Sequence, residues 1–208
     1  MDVIATLRRR RTTHFFEPEG MILPREMIES MIAEACLAPS EFDLQPWRFV
    51  IVRDRERKEI LYQCSHRQEM ARDAAAVVIV CGDTRGHERA GEVAAEWVSQ
   101  GLLAEAEAAR VEAGIRRAYD GSERARLLMA IRSASFAAMS LMLLATDKGI
   151  ATSPMVTFSE EQVRAAFHLP ERLVPVVMVA MGMPSTARPR PARPRRLTVQ
   201  QVVSHEDM

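Results

Sequence analysis

The chain has 208 residues, 48% hydrophobic and 27% charged, and its 28 basic and 28 acidic side chains balance to zero net charge. That length suits one domain, 1–208, which buries roughly 70% of its unfolded surface and needs no metal or disulfide staple. The composition excludes a disordered or fibrous chain, and the missing basic excess argues against a nucleic-acid binder.

Cys36, Cys64 and Cys81 are odd in number and show no CxxC spacing. With no secretory leader legible at the N-terminus, a reducing, cytoplasmic setting is expected. Cys36 and Cys81 stand in apolar stretches and read as core residues. No uninterrupted apolar run reaches the ~18 residues of a membrane span. The longest candidate, 134–145, is broken by Ser135 and Ser140, so no membrane partner is expected.

In chain order, Val3, Ile4 and Leu7 lie at helical spacing within 1–11. A polar turn follows at Glu17-Pro18-Glu19-Gly20, and Pro24 sits where it fits a helix's first turn. Met27, Ile28, Met31, Ile32, Ala35 and Cys36 form that helix's apolar face, which Pro39 stops. Residues 48–53 read as a strand, 55–64 as a helix, and 76–81 as a buried strand closed by Gly82. Residues 88–119 read as mostly helical, with Gly101 and Gly114 as weak points. After the break at Asp120-Gly121, Ser122 caps a long helix that runs to Lys148 and stops at Gly149. Its second half is nearly all apolar or small, so it should be buried on most sides. Residues 149–158 read as a loop. Ser159 and Gln162 match a capping box for a helix ending near His168. Residues 175–181 are another buried strand. Residues 185–196 turn to Pro and Arg and cannot pack as a core; a short apolar stretch, 199–203, follows. Helices outnumber strands without βαβ alternation, so the expected class is α+β, a small sheet wrapped by helices.

Four separated segments carry candidate chemistry. The first is Arg10-Arg11-Thr12-Thr13-His14-Phe15-Phe16. Its cations and hydroxyls suit a phosphate dianion, because each charge-assisted bond contributes about 1.5–3 kcal/mol. The second is Ala38-Pro39-Ser40-Glu41-Phe42-Asp43-Leu44-Gln45-Pro46-Trp47-Arg48-Phe49, a loop stiffened by two prolines. The third runs from Gly149 through Pro154, Met155, Val156 and Thr157 to Phe158. The fourth is Arg193-Pro194-Arg195-Arg196-Leu197-Thr198. Read on residues alone, these are also compatible with a solvated basic helix end, loop packing, a helix–strand linker and a basic tail for acidic partners. The histidines show no metal-ligand spacing, and no Walker, GxGxxG or GxSxG motif occurs.

Taken together and in this order, the four segments resemble the FMN-dependent nitroreductase family. The resemblance implies that family's fold: an α+β chain with a central mixed, mostly antiparallel sheet wrapped by helices. It also implies a homodimer with an exchanged C-terminal arm, here 185–208, and with FMN at the subunit interface. Arg10, Arg11, Thr12 and His14, joined by Arg193, Arg195 and Arg196, would hold the FMN phosphate and ribityl chain. Pro39, Ser40, Asp43 and Gln45 would approach the flavin held mainly by the other subunit. Pro154, Met155, Val156 and Thr157 would lie against the ring near N5, and Gln68 or Arg67 would serve its pyrimidine edge. His14 stands for the family's Arg or Lys, Asp43 for Asn, Thr157 for Gly and Pro194 for Lys. The implied activity is transfer of hydride from NAD(P)H through flavin N5 to a nitroaromatic, quinone or similar electron-poor acceptor. No protein side chain is implied as acid or base, and no metal. Residues 84–122 are covered by no motif and are expected to form a helical lid. Alternative readings are an FMN-dependent dehydrogenase or reductive dehalogenase, a family member with weakened flavin binding, and a nucleic-acid or partner binder using the arginine clusters.

Overall fold

Ala76–Asp83 has no exposed side chain at all, which is what a continuous apolar run becomes when both faces of a strand are covered. In the computed structural model, which describes residues 2–18, 20–188 and 191–206, this strand is central. The sheet comprises β1 (Trp47–Val52), β2 (Ala76–Asp83), β3 (Ala151–Met155) and β4 (Leu173–Gly182), in the order β1-β2-β4-β3. Every pair of named strands is antiparallel. The one parallel element among the described residues is an isolated bridge between Thr12 and Thr152. The expected α+β class holds, with the sheet more uniformly antiparallel than a mixed one.

Helices cover both faces. On one side α2 (Arg25–Ala35) and α7 (Glu123–Asp147) bury Ile28, Met31, Ala134, Ala138 and Leu141 against Val78, Val80, Val179 and Met181. On the other, α3 (Arg55–Cys64), α4 (Glu69–Asp73) and α8 (Glu160–Ala166) enclose Leu61, Ala71 and Val163 with Val77, Ile79, Met178 and Met155. The alternation along β2 and β4 assigns each residue to one of these layers. Cys81 lies in the second layer, where burial pushes its thiol up to about 12; Cys36 is only half-buried.

Local signals placed most helix ends. Ser122 Oγ accepts from Ala125 N–H at 3.1 Å. At the other end of α7, Gly149 has φ +77, and the N–H groups of Gly149 and Ile150 return to Thr146 and Ala145 O, a Schellman closure. Pro24 sits one residue ahead of α2, as its N-cap. Ser159 Oγ accepts from Gln162 N–H, whereas Ser159's own N–H goes to Cys64 O, so only half of the expected capping box is used locally.

Helix α7 has a mean hydropathy of 1.8 over its most apolar window, enough by length and composition for a membrane span. Its small-residue face packs on the sheet, while Leu127 and Phe136 on the other face are exposed, Phe136 by 52%. Over the second half, 135–147, only Ser135, Phe136 and Asp147 are exposed, so the burial on most sides expected from composition holds there. In the short α1 (Val3–Arg9), Thr6 is buried and Val3, Ile4 and Leu7 point outward. It lies at the C-terminal end of α7, where Arg9 donates to Thr146 O at 3.2 Å and the cation meets the helix's negative end.

Residues 84–122 form α5 (Ala90–Ser99) and α6 (Glu105–Tyr119), an antiparallel hairpin turned at Gly101. Gly114 leaves α6 unbroken. The hairpin's base packs Ala90, Val93, Ile115 and Tyr119 around Leu44 and Met129. Past β4 the described residues up to Thr198 are in no helix or strand, and α9 (Val199–Val202) follows. Glu19 of the expected turn, Pro189 and Arg190 of the tail, and 207–208 lie outside the described residues.

Candidate functional site

The bridge between Thr12 and Thr152 brings the first and third segments together: Thr13 N–H donates to Thr152 O at 3.0 Å. The tail closes over them. Arg193 Nη2 donates to Arg8 O at 2.6 Å and to Arg10 O at 2.8 Å, and Arg11 donates to Pro191 O. Arg10, Arg11, Thr12, His14, Arg193 and Arg196 thus line one cavity of about 340 Å³. Arg195 is exposed on the same stretch. A second, smaller cavity of about 180 Å³ shares Arg10 and Arg11 and is also lined by Thr13 and Thr152.

The electrostatics of this corner are unbalanced. Burial lowers the Arg10 pKa, and the nearby Arg193 and Arg196 guanidinium groups lower it further. Like charges crowded together favour any ligand that brings a compensating anion. Thr13 Oγ1 and Thr152 Oγ1 are buried with no hydrogen-bond partner among the described residues, and unpaired buried hydroxyls cost free energy. Surplus cations, two orphaned hydroxyls and cavities between them fit a phosphorylated, polyhydroxylated ligand such as FMN.

The third segment is not wholly a loop. Ala151–Met155 is the edge strand β3, a correction to the expected 149–158 linker. Pro154 tolerates this place because an edge strand leaves one side of its ladder unused. Alternation buries Met155 in the core at 2% exposure, so only its backbone faces the site. Val156 and Thr157 follow the strand and are exposed, Val156 by 72%. Gln68 reaches this turn: its Nε2 donates to Thr157 O at 2.7 Å and to Ser65 O at 3.0 Å. Its amide donors are therefore engaged by protein, while Arg67, at φ 61, is exposed. The structure thereby joins Gln68 to the third segment.

The second segment forms a tight loop before β1. Ser40 Oγ accepts from Gln45 N–H at 3.0 Å, and Gln45 Nε2 donates to Asp43 Oδ1 at 3.1 Å. Phe42, Asp43 and Gln45 all have left-handed φ, at 51°, 53° and 48°. For Phe42 that conformation costs roughly 1–2 kcal/mol, whereas Asp tolerates it better through local hydrogen bonding. Asp43 thus retains two properties of an Asn, its backbone conformation and an acceptor oxygen, and lacks the donor. Pro39 is exposed.

This loop lies far from the arginine cluster. Trp47, at the start of β1, faces Gly82 at one end of β2, whereas Thr152 on β3 faces Met181, itself paired with Ala76 at the other end. From Ala76 to Gly82 is roughly 20 Å along the strand, and from β1 to β3 is roughly 14 Å across it. Within one chain, then, the first, third and fourth segments converge at one corner, and the second occupies the diagonal corner. Among the described residues no His, Cys, Asp and Glu group could hold a metal.

Sequence reasoning missed how the loop is braced. Tyr119, the last residue of α6, donates its hydroxyl to Glu41, and Arg132 of α7 lies 3.6 Å from the same carboxylate. Arg89, ahead of α5, donates to Leu44 O at 3.0 Å. These partners are too distant in sequence for any local pattern to reveal.

The sequence pattern of the Nitroreductase family matches residues 7–183. A Bacillus subtilis relative, provisionally named NAD(P)H nitroreductase YodC, is 32% identical over 181 residues, covering 87% of this chain and 89% of its own. The crystal structure of the B. subtilis protein ydfN, provisionally called a nitroreductase, superposes with a TM-score of 0.90 at 29% identity over 97% of each chain. A provisionally named nitroreductase from Exiguobacterium sibiricum, solved with FMN, gives 0.87 at 24% identity, over 99% of this chain and 98% of that one. The fold, the order of the four segments and this match agree: the chain belongs to the nitroreductase family.

Proposed function

We propose that the protein is an FMN-dependent oxidoreductase that uses NAD(P)H to reduce nitroaromatics, quinones or similar electron-poor organic acceptors. The observation that carries this reading is the corner where Arg10, Arg11, Thr12, Arg193 and Arg196 meet around a cavity, with the Arg10 pKa lowered by burial and then by its cationic neighbours. The redox chemistry is FMN's: uptake of a hydride from NAD(P)H and its release to the acceptor in two successive half-reactions.

The protein's part is binding, orientation and exclusion of water. Arg10, Arg11, Thr12, Arg193, Arg195 and Arg196 hold the phosphate, with His14 exposed at the rim. The backbone of Pro154, Met155, Val156 and Thr157 supports the ring, held in place by Gln68. Arg67 supplies positive charge beside the ring edge. Pro39, Ser40, Asp43 and Gln45 serve the flavin of a second copy, because their own arginine corner is at the opposite diagonal of the sheet. A homodimer follows, and two further observations support it. Val3, Ile4, Leu7, Phe136, Val199 and Val202 are exposed apolar residues on α1, α7 and α9. The outer edge of β1 opens into a cavity of about 570 Å³, room for the partner's 185–208 arm to pair there. The α5–α6 hairpin, braced on the 41–46 loop, is a lid that limits acceptor size.

The test is steady-state oxidation of NADH and NADPH with a nitroaromatic and with a quinone. Turnover with at least one pair is expected, with parallel double-reciprocal lines. Absence of turnover with either nucleotide contradicts the proposal.

A further inference from the structure

We propose that the hydrogen bond from Tyr119 to Glu41 is a latch between the α5–α6 hairpin and the 41–46 loop, with Arg132 at its exposed rim, and that this latch sets which acceptors the cleft admits. The inference rests on the reading above, in which the loop and the hairpin bound a flavin cleft.

The 41–46 loop has local hydrogen bonds from Gln45 to Ser40 and Asp43, and it is restrained from outside as well. Three of its non-glycine residues are left-handed, and such conformations persist only where surrounding structure over-determines them. The restraint comes from the hairpin's base. Arg89, at its first end, holds Leu44 O. Tyr119, at its other end, donates to one oxygen of Glu41, while Arg132 approaches the other. The Tyr119 ring is buried and meets Phe42 edge-on, with centroids 6.3 Å apart at 86°. Phe42 is 44% exposed, so its free face is positioned by a residue of the hairpin. The far tip of the hairpin, around Leu102, is exposed. A lever fixed at its base and free at its tip changes angle when its base is released.

Burial, with the Glu41 hydrogen bond and charge adding to it, holds the Tyr119 pKa well above that of a free phenol. The hydroxyl therefore remains protonated, and a donor, across the neutral range. Tyr119 and Glu41 are positioning residues; they act on acceptors through the loop and the hairpin.

The test compares wild-type holoenzyme with Tyr119→Phe, Glu41→Ala and Glu41→Gln, using p-benzoquinone as a small acceptor and a fused-ring naphthoquinone as a large one. Tyr119→Phe and Glu41→Ala are expected to lower KM for the large acceptor, relative to the small one, by about fivefold, the scale of one net hydrogen bond. FMN affinity and the rate of flavin reduction by NAD(P)H should change less than about twofold, below the effect of a single hydrogen bond. Glu41→Gln keeps an oxygen for the Tyr119 hydroxyl and loses only an exposed ion pair, worth little; it should retain wild-type selectivity. Unchanged selectivity in Tyr119→Phe contradicts the latch, as does a parallel fall in FMN affinity and in turnover of both acceptors, which is the mark of a purely structural role. Absence of turnover in the wild type contradicts the proposed function and takes the latch with it.

Discussion

Arg10→Ala is expected to weaken FMN binding by roughly 10- to 100-fold while leaving the apoprotein fully folded. The size follows from the loss of one charge-assisted contact to phosphate, about 1.5–3 kcal/mol. The intact fold follows from the geometry. Arg193 is fastened to the backbone oxygen of Arg10, not to its side chain, so alanine keeps that tie. Removing the guanidinium also relieves its repulsion by Arg193 and Arg196, so the apoprotein's melting temperature should stay level or rise. Fluorescence titration with FMN and thermal denaturation of the stripped protein measure the two effects separately. Unchanged affinity would remove Arg10 from the phosphate site.

Gly82→Ala should destabilise the fold more than any surface change, by about 3 kcal/mol or more. A Cβ at Gly82 would lie 2.6 Å from the Ala130 carbonyl oxygen and 2.7 Å from its carbon. Those atoms belong to the backbone of a buried helix and cannot swing aside. Helix α7 would have to lift from β2, opening the core that Ala134, Ala138 and Leu141 share with Val78 and Val80. For a chain of this size that loss corresponds to a fall of roughly 6–12 °C in melting temperature. Chemical denaturation at neutral pH checks it. A shift below about 1 kcal/mol, the ordinary scale of a tolerated substitution, would mean that α7 does not press on β2 at this point.

Much of this fold was legible because its central elements obey simple periodicities. The strands at 47–52, 76–83 and 173–182 are apolar runs bounded by turn residues, and α3 spans the 55–64 read from the sequence. Strand β3 escaped notice for a physical reason. Ala-Thr-Ser-Pro-Met has little β-branched character, and its proline argues against a strand unless the strand is at an edge. Edge position is a property of the assembled sheet and is invisible locally. The apolar periodicity of α7 likewise gave no indication of which face the chain itself would cover.

The candidate site was legible in parts. Arg10, Thr12, Arg193 and Arg196 were identifiable from residue type and order, and the fold brings them to one cavity. Gln68 was identifiable only as a polar residue ahead of the strand at Ala76, and its tie to Thr157 O could be seen only in three dimensions. The Tyr119–Glu41 contact spans 78 positions and has no local signature. Nor did the sequence alone reveal that the 38–49 segment lies across the sheet from the arginine corner. That separation, set by the strand order, is the observation behind the proposal that a second copy completes each site.

In the proposed function, the Arg10, Arg11, Arg193 and Arg196 corner holds the phosphate of FMN. Parallel titration of the flavin-free protein with FMN and with riboflavin, which shares the ring and ribityl chain but lacks the phosphate, tests it most directly. FMN should bind with one flavin per chain, and riboflavin should bind at least about 100-fold more weakly, the combined loss of two or more charge-assisted contacts. Equal affinity for the two flavins, or uptake of neither, would contradict it.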